Sequence, residues 1–196
     1  MKICKFYFDV KTKKDLEGLE NVLLDLSYAD LSEADLSGVN LRYANLKCAN
    51  LRYSDLTYTN LSEADLSDAN LRYSNLKYVN LRYTNLRRAD LNDVNLSDAN
   101  LNDSNLNGAD LRYSNLNGAD LSDANLSRAD LRYTNLGRVN LSDANLSKAD
   151  LRHANLRHAN LNDADLGGAI LRYANLKCIN LSKAYLNDTV LEDTSL

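Results

Sequence analysis

The residue types that most often carry out nucleophilic, acid–base or metal chemistry are few in this 196-residue chain. Its two histidines, His153 and His158, stand five residues apart, and its three cysteines are Cys4, Cys48 and Cys178. A disulfide framework needs cysteines that pair, and a zinc site needs several ligands that converge on one point. These residues satisfy neither requirement. We therefore expect no catalytic residue, no metal and no cofactor, and we do not expect an enzyme.

Aspartates recur at a spacing of twenty residues in the second half of the chain, at Asp103, Asp123, Asp143 and Asp163. If this spacing brings them together, the column of carboxylates attracts a basic partner or a hard cation. The alternative is that the carboxylates repel one another, turn into solvent and are screened by salt. The second interpretation is favoured, and the column remains a candidate acidic surface.

A second series with the same spacing contains arginine–tyrosine pairs, and tyrosine and arginine are enriched at the energetic centres of protein interfaces. Aspartates stand two residues before two of these arginines, at Asp110 and Asp130, so the same side chains can also form a ladder in which arginine neutralises aspartate and packs on tyrosine. The ladder is favoured, and the pairs remain a candidate interaction face. Its members are Arg52, Tyr53, Arg72, Tyr73, Arg112, Tyr113, Arg132, Tyr133, Arg172 and Tyr173.

The element that positions all these side chains is a leucine at every fifth residue from Leu26 to Leu196. On an α-helix, successive leucines would be rotated by about 140° and would share no face. On a straight strand an odd spacing would send alternate leucines to opposite faces. The chain must therefore turn a corner in every unit. If each corner is close to a right angle, four units form a twenty-residue coil, and successive coils stack about 4.8 Å apart.

Each unit has one pattern, illustrated by 29–33, Ala-Asp-Leu-Ser-Glu. We call the residue two before the leucine the small position, the residue before it the Asx position, and the two after it the first and second turn positions. This A-[DN]-L-x-x pattern resembles the pentapeptide-repeat family over about residues 24–196. The resemblance implies an all-β fold, a right-handed quadrilateral β-helix of about 8–9 coils of four pentapeptides, with leucines and small residues inside. Alanine suits the small position because four inward leucines leave little space.

Residues 1–23 lack the repeat and are predicted to form a short N-terminal cap. Alternating apolar residues over 1–10 indicate a strand, and apolar residues at helical spacing over the following two turns indicate a short helix. Such a cap covers the open end of the 24–196 column, where apolar interior and unpaired backbone would otherwise be exposed.

At the other end of the chain the Asx position becomes apolar or aromatic at Ile170, Tyr185 and Val190. We interpret the last coil, about 177–196, as an irregular cap or a dimer contact, because exposed apolar groups favour one or the other. The quinolone-resistance proteins that the chain resembles form dimers through their C-terminal ends. A homodimer through this coil is therefore the favoured interpretation.

The charge balance and the resemblance limit the function. The formal charge is −4, from 27 acidic and 23 basic residues, and there is no basic tract, signal peptide or membrane-spanning apolar run. We expect a cytoplasmic protein that does not bind nucleic acid or membranes directly. The resulting hypothesis is a noncatalytic scaffold or protein-interaction module with an unidentified protein partner.

The alternative is a DNA mimic that binds DNA gyrase or topoisomerase IV, as the quinolone-resistance proteins that the chain resembles do. A rod of the predicted length, about 41 Å at the strand spacing, has a suitable shape. However, a charge of −4 over that length is about one charge per 10 Å, against one per about 1.7 Å in duplex DNA. The mimic is therefore less favoured than the scaffold.

Overall fold

The computed structural model describes residues 3–5, 14 and 23–195. Its two strands, β1 (Ile3–Lys5) and β2 (Leu23–Asp25), pair in parallel, with Ile3 opposite Leu23. This pairing adds β1 to the stack with the same offset that separates successive coils. Except for Lys14 and Leu23, the helix predicted for the cap falls on residues outside the described part of the chain, as does most of the predicted strand. Leu23, predicted as the last apolar residue of that helix, lies in β2 instead, where it pairs with Ile3.

Within residues 23–195, a tight turn follows each leucine of the five-residue register, from Leu26 onward. In the first, the Ala29 N–H donates to the Leu26 carbonyl at 3.1 Å. Tyr28, at the second turn position, has a φ of 60°, as the third residue of a type II turn requires. Glycine adopts this left-handed conformation freely, whereas other residues lose about 1 kcal/mol. Tyrosine, aspartate, arginine and histidine nevertheless occupy it in most units, which shows that the surrounding coil imposes the conformation.

Parallel backbone pairing joins each coil to the next at an offset of twenty residues, beginning with Asp25 opposite Asn45 and Asp30 opposite Asn50. The Leu26 N–H donates to the Asn45 carbonyl at 2.7 Å, and the Asn45 N–H donates to the Leu24 carbonyl at 2.8 Å. The predicted twenty-residue coil with four turns is thus confirmed by the register. Because a turn recurs every five residues, extended backbone that forms a bridge between coils is confined to the Asx position. The β structure therefore consists mainly of isolated bridges rather than long strands.

The interior is formed by the leucines and the small positions, as predicted. From Leu26 to Leu176, every leucine of the register is 0–3% exposed, and alanines such as Ala34 and Ala109 are equally buried. Buried hydroxyls at the small position are satisfied by the backbone: Ser54 Oγ donates to the Leu51 carbonyl at 2.7 Å. The column is therefore filled and has no unpaired hydroxyl at these sites.

The Asx residue is half-buried and stabilises both the turn and the stack. Asn135 Oδ1 accepts the Gly137 N–H at 3.2 Å and the Asn155 Nδ2–H at 3.0 Å. Its own Nδ2 donates to Asn115 Oδ1 at 2.9 Å. A short side-chain amide or carboxylate can cap the following turn and still reach the next coil. This double role explains why asparagine and aspartate dominate the position.

Candidate interaction faces

Four corners run along the column, and we name each by its leucine in the coil 106–125. A corner consists of the Asx residue and the two turn residues beside that leucine, together with the equivalent residues of every other coil. Equivalent residues are separated by twenty residues or a multiple of twenty. The four are the Leu106, Leu111, Leu116 and Leu121 corners. The arginine–tyrosine series lies on the Leu111 corner and the acidic series on the Leu121 corner.

An arginine–aspartate ladder runs along the Leu111 corner. Arg112 donates from Nε to Asp110 Oδ1 at 2.8 Å and from Nη2 to Asp110 Oδ2 at 2.5 Å. The same Nε lies 3.5 Å from Asp130 Oδ2 in the next coil. Arg132 repeats this arrangement with Asp130 and Asp150. Each arginine therefore binds the aspartate of its own unit through two hydrogen bonds and contacts the next aspartate along the column.

These hydrogen bonds change the acidity of the ladder carboxylates. Partial burial raises the pKa of Asp110 and of Asp150. Hydrogen bonds from the side chain and backbone of Arg112 to Asp110, and of Arg152 to Asp150, lower it, and their combined effect with the nearby arginine charges is larger than that of burial. The net result is a pKa below the ordinary value for both carboxylates. The ladder thus holds fixed, mutually neutralising charges at neutral pH.

Where asparagine replaces aspartate at the Asx position, the arginine instead lies over its own tyrosine. Arg52 follows Asn50, and its Cζ is 5.2 Å from the centre of the Tyr53 ring. Arg72 lies at the same distance from Tyr73. These are cation–π contacts, which a carboxylate outcompetes in the units whose own Asx residue is aspartate. The identity of the Asx residue therefore selects the orientation of the arginine.

Aromatic rings at the second turn position form a continuous stack beside the arginine–aspartate ladder. Centroid distances are 5.1 Å from Tyr113 to Tyr133, 4.7 Å from Tyr133 to His153 and 4.9 Å from His153 to Tyr173. The tyrosines remain 48–55% exposed. His153 was not among the residues predicted for this face, although the twenty-residue spacing indicates its place. We call the rings of these four residues the aromatic stack.

The ten predicted face residues therefore lie on one corner but in two groups, because Asn92 and Asp93 interrupt the series. Tyr53 and Tyr73 stack at 5.0 Å on one side of the interruption. Asn92 Nδ2 donates to the Arg112 carbonyl at 3.1 Å and thereby links the two groups through the backbone.

The acidic series is aligned on the Leu121 corner, with Asp103, Asp123 and Asp143 exposed and Asp163 half-buried. Asp163 Oδ2 accepts a hydrogen bond from Asn162 Nδ2 at 2.6 Å and lies 4.0 Å from Lys183 Nζ. Within 3–5, 14 and 23–195, no three histidine, cysteine, aspartate or glutamate residues are arranged to hold a metal ion.

At the C-terminal end, burial changes while the backbone stays regular. The Ser195 N–H still donates to the Ala174 carbonyl at 3.0 Å, because this bond is independent of the side chain. Ile170 and Val190 pair through their backbones and are half-buried. Tyr185 is 63% exposed, and the last coil also exposes Leu186 and Leu191.

Two open depressions occur where glycine occupies the first turn position, and neither was predicted from the sequence. One, of about 260 Å³, surrounds Gly137 on the Leu116 corner. The other, of about 380 Å³, surrounds Gly167 on the Leu106 corner. The signal in the sequence was glycine at a position that otherwise carries a longer side chain in most units. His158 lines the first depression, whereas Cys48 and Cys178 lie outside both and carry free thiols.

Comparison with protein families places these features in a known class. The model described as pentapeptide repeats matches eight overlapping segments between residues 24 and 188. The chain belongs to the pentapeptide-repeat family. The twenty-residue coil and buried leucine column described above are the structural counterparts of that match.

Solved structures of the same class resemble the chain. HetL, a pentapeptide repeat protein involved in heterocyst differentiation regulation from Nostoc sp. strain PCC 7120, is 32% identical, with 98% of this chain and 90% of HetL covered and a TM-score of 0.47. QnrB1, a plasmid-mediated fluoroquinolone resistance protein, is 22% identical, with 83% and 91% covered and a TM-score of 0.68. The QnrB1 likeness concerns the fold alone. Among curated proteins, no sequence matches the chain significantly.

A helix with the length and apolar character needed to cross a membrane is absent from the described residues.

Proposed function

We propose that this protein is a noncatalytic interaction scaffold whose Leu111 corner binds a protein partner. The observation that carries the proposal is the aromatic stack, in which exposed rings lie parallel at separations of 4.7–5.1 Å. Stacked rings on a rigid column are already ordered, so a partner that covers them loses little additional side-chain entropy. Aromatic side chains held in this way are typical anchors of protein interfaces.

The neighbouring arginine–aspartate ladder supports the same assignment. Arg112, Arg132 and Arg152 already have carboxylate partners within the chain. Covering them does not leave an isolated charge in the interface, which would be costly. The face therefore fits a partner surface that is mainly apolar or aromatic at its centre and polar at its edge. A filled leucine column offers no deep concave site for catalysis, which favours a scaffold over an enzyme.

The test is affinity capture from the source cells with the wild-type chain and with Arg112→Ala/Tyr113→Ala. We expect the variant to lose at least one specific partner, because it removes one ring of the stack and one guanidinium of the ladder. Ser122→Ala/Asp123→Ala is the matched control, since it changes the same two turn positions in the same coil, two corners further along, on the Leu121 corner. Identical capture by all three proteins would contradict the proposal, whereas selective loss in the Arg112/Tyr113 variant would support it.

The DNA-mimic hypothesis has weaker support. QnrB1 shares the fold, but the acidic column is confined to one corner, and Arg128, Arg138 and Arg157 place positive charge on other corners. A DNA mimic needs a surface dominated by negative charge. In the same series of experiments, a gyrase supercoiling assay with and without a quinolone is expected to show neither inhibition nor protection. Inhibition that increases with protein concentration would favour the mimic over the scaffold.

A homodimer through the C-terminal coil is part of the proposal. Tyr185, Leu186 and Leu191 expose 38–63% of their surface at the open end of the leucine column, and a second copy would cover them. Analytical ultracentrifugation is expected to show a dimer for the wild type and a monomer for Tyr185→Glu. Tyr28→Glu is the control, because Tyr28 is 74% exposed near the other end of the described column. A monomeric wild type, or equal effects of both substitutions, would refute the dimer.

A further inference from the structure

The Leu116 corner carries positive charge that the fold does not neutralise. From residue 115 to residue 178 its Asx position is always asparagine, whereas the Leu111 corner has three aspartates over the corresponding coils. Arg138 and Arg157 are exposed, and neither forms an ion pair with any residue of the described ranges. In this respect they differ from Arg112 and Arg132, which are held by aspartates. These two arginines have guanidinium groups available for an outside ligand.

Gly137 creates the space beside these charges. Adjacent coils have Asn117 and Arg157 at the same turn position. A Cβ atom on Gly137 would lie only 2.7 Å from Asn117 Nδ2, which instead donates to the Gly137 carbonyl at 2.9 Å. Gly137 is not in the left-handed conformation, so glycine is not needed there for its backbone freedom. It matters because it has no side chain to fill the depression. The depression of about 260 Å³ is lined by Asn117, Gly137, Arg138, Asn155, Arg157 and His158.

The lining is rich in hydrogen-bond donors and contains no carboxylate. Each arginine offers several N–H groups in a planar fork and accepts none. Asn117 and Asn155 each use one amide hydrogen within the chain, to the Gly137 carbonyl and to Asn135 Oδ1, so each amide group has a second hydrogen to donate. Guanidinium groups bind phosphate oxygens through paired, charge-assisted hydrogen bonds. We infer that this depression binds a phosphate group.

The depression at Gly167 is an internal comparison. It also forms around a glycine at the first turn position, but Asp165, Tyr185 and Asn187 line it. A carboxylate and the absence of lysine or arginine from its lining make it unsuitable for an anion. The arginines and amides that line the Gly137 depression are therefore the reason to expect a phosphate ligand, and the shape of the depression alone is not.

The test is a titration of the full chain, in phosphate-free buffer of low ionic strength, with inorganic phosphate and with a phosphoserine peptide. Calorimetry measures the affinity, and amide shifts in a ¹⁵N-labelled sample locate the site. We expect the shifts to centre on Gly137, Arg138 and His158. Stronger binding of the phosphoserine peptide than of inorganic phosphate identifies a phosphorylated macromolecule as the source, and the reverse order identifies free phosphate. The unphosphorylated peptide is the control for contacts that do not involve phosphate.

Substitutions distinguish phosphate binding in the Gly137 depression from nonspecific attraction of phosphate to basic residues elsewhere on the protein. Arg157→Gln, and independently Gly137→Ser, are each expected to weaken phosphate binding about tenfold, because one removes a charge-assisted donor and the other fills the space. Arg128→Gln and Gly167→Ser are the matched controls on the Leu106 corner and are expected to leave the affinity unchanged. Circular dichroism checks that each variant retains the fold.

Two results would overturn the inference. One is the absence of saturable binding of either phosphate compound to the wild type. The other is equal affinity of the wild type, Arg157→Gln and Gly137→Ser, which would place any binding elsewhere on the column. Neither result bears on the partner proposed for the Leu111 corner, since the capture variants leave the Gly137 depression unchanged.

Discussion

Insertion of a single residue after Asn107 is expected to lower the melting temperature far more than Leu106→Ala. Leu106 is fully buried, and its truncation to alanine should cost about 2–5 kcal/mol through lost burial and a residual cavity. The insertion acts on register rather than on one side chain. Either the turn after Leu106 bulges, or every following unit shifts and directs Asn and Asp side chains into the leucine column, where unpaired polar groups are strongly unfavourable.

The hydrogen bonding between coils explains why the chain cannot absorb the extra residue elsewhere. The Leu106 N–H donates to the Asn125 carbonyl and the Asp110 N–H donates to the Ala89 carbonyl. Both bonds require the twenty-residue offset, so a shift of one residue breaks the pairing with the coils on both sides. Thermal unfolding followed by circular dichroism measures the effect, and an insertion variant that melts above Leu106→Ala would contradict the twenty-residue coil.

Insertions of whole units provide the controls. Duplication of 106–125 adds one complete coil, restores every column and should preserve stability, because coils in a solenoid interact mainly with their neighbours. Duplication of 106–110 keeps the leucines inside but rotates all later units by one corner. That variant should fall between the other two, because it separates Arg112 and Tyr113 from the coils with which they were aligned.

Replacement of Ala109 by leucine is the second change for which we expect a large loss of stability. Ala109 occupies the small position that precedes Leu111 and is 1% exposed. The same position is alanine in every coil from Ala29 to Ala169, which indicates that the four inward leucines leave no space for a larger side chain on this side. Overpacking of a filled core costs about 1–3 kcal/mol, and sometimes more, through strained rotamers and displaced backbone.

Ala119→Val is the matched control in the same coil. Its small position accommodates Val139 in the next coil and Val79 two coils earlier, both fully buried. This side of the column therefore tolerates a β-branched side chain, and we expect a change of less than about 1 kcal/mol. Urea unfolding measures the free energy of unfolding of each variant, and an unchanged m-value shows that the comparison reports stability alone. Equal losses for Ala109→Leu and Ala119→Val would show that the four sides of the column do not differ in packing space.

The fold was accessible from sequence because five-residue periodicity and backbone geometry leave few solutions. Leucine at every fifth position excludes a regular helix and a straight strand, and the alanines limit the space inside the coil. The alignment of Arg112 with Arg132, and of Asp103 with Asp123, then followed from the twenty-residue period. By contrast, the stacking of the His153 ring and the space left by Gly137 were not predicted from the sequence. Each depends on neighbours twenty residues away rather than on its own unit.

The sequence by itself determined that the chain turns after every leucine and that leucines and small residues point inward. It favoured a twenty-residue coil, and the backbone pairing then established which residues share a corner. Only the tertiary structure decided how the outward side chains use their neighbours. Arg112 binds Asp110 while Arg72 lies over Tyr73, although both occupy the same turn position. The physical reason is a competition between contacts. Where the Asx residue is an ionised aspartate, its carboxylate binds the guanidinium group through paired hydrogen bonds. Where the Asx residue is a neutral asparagine, the guanidinium group lies over the tyrosine ring.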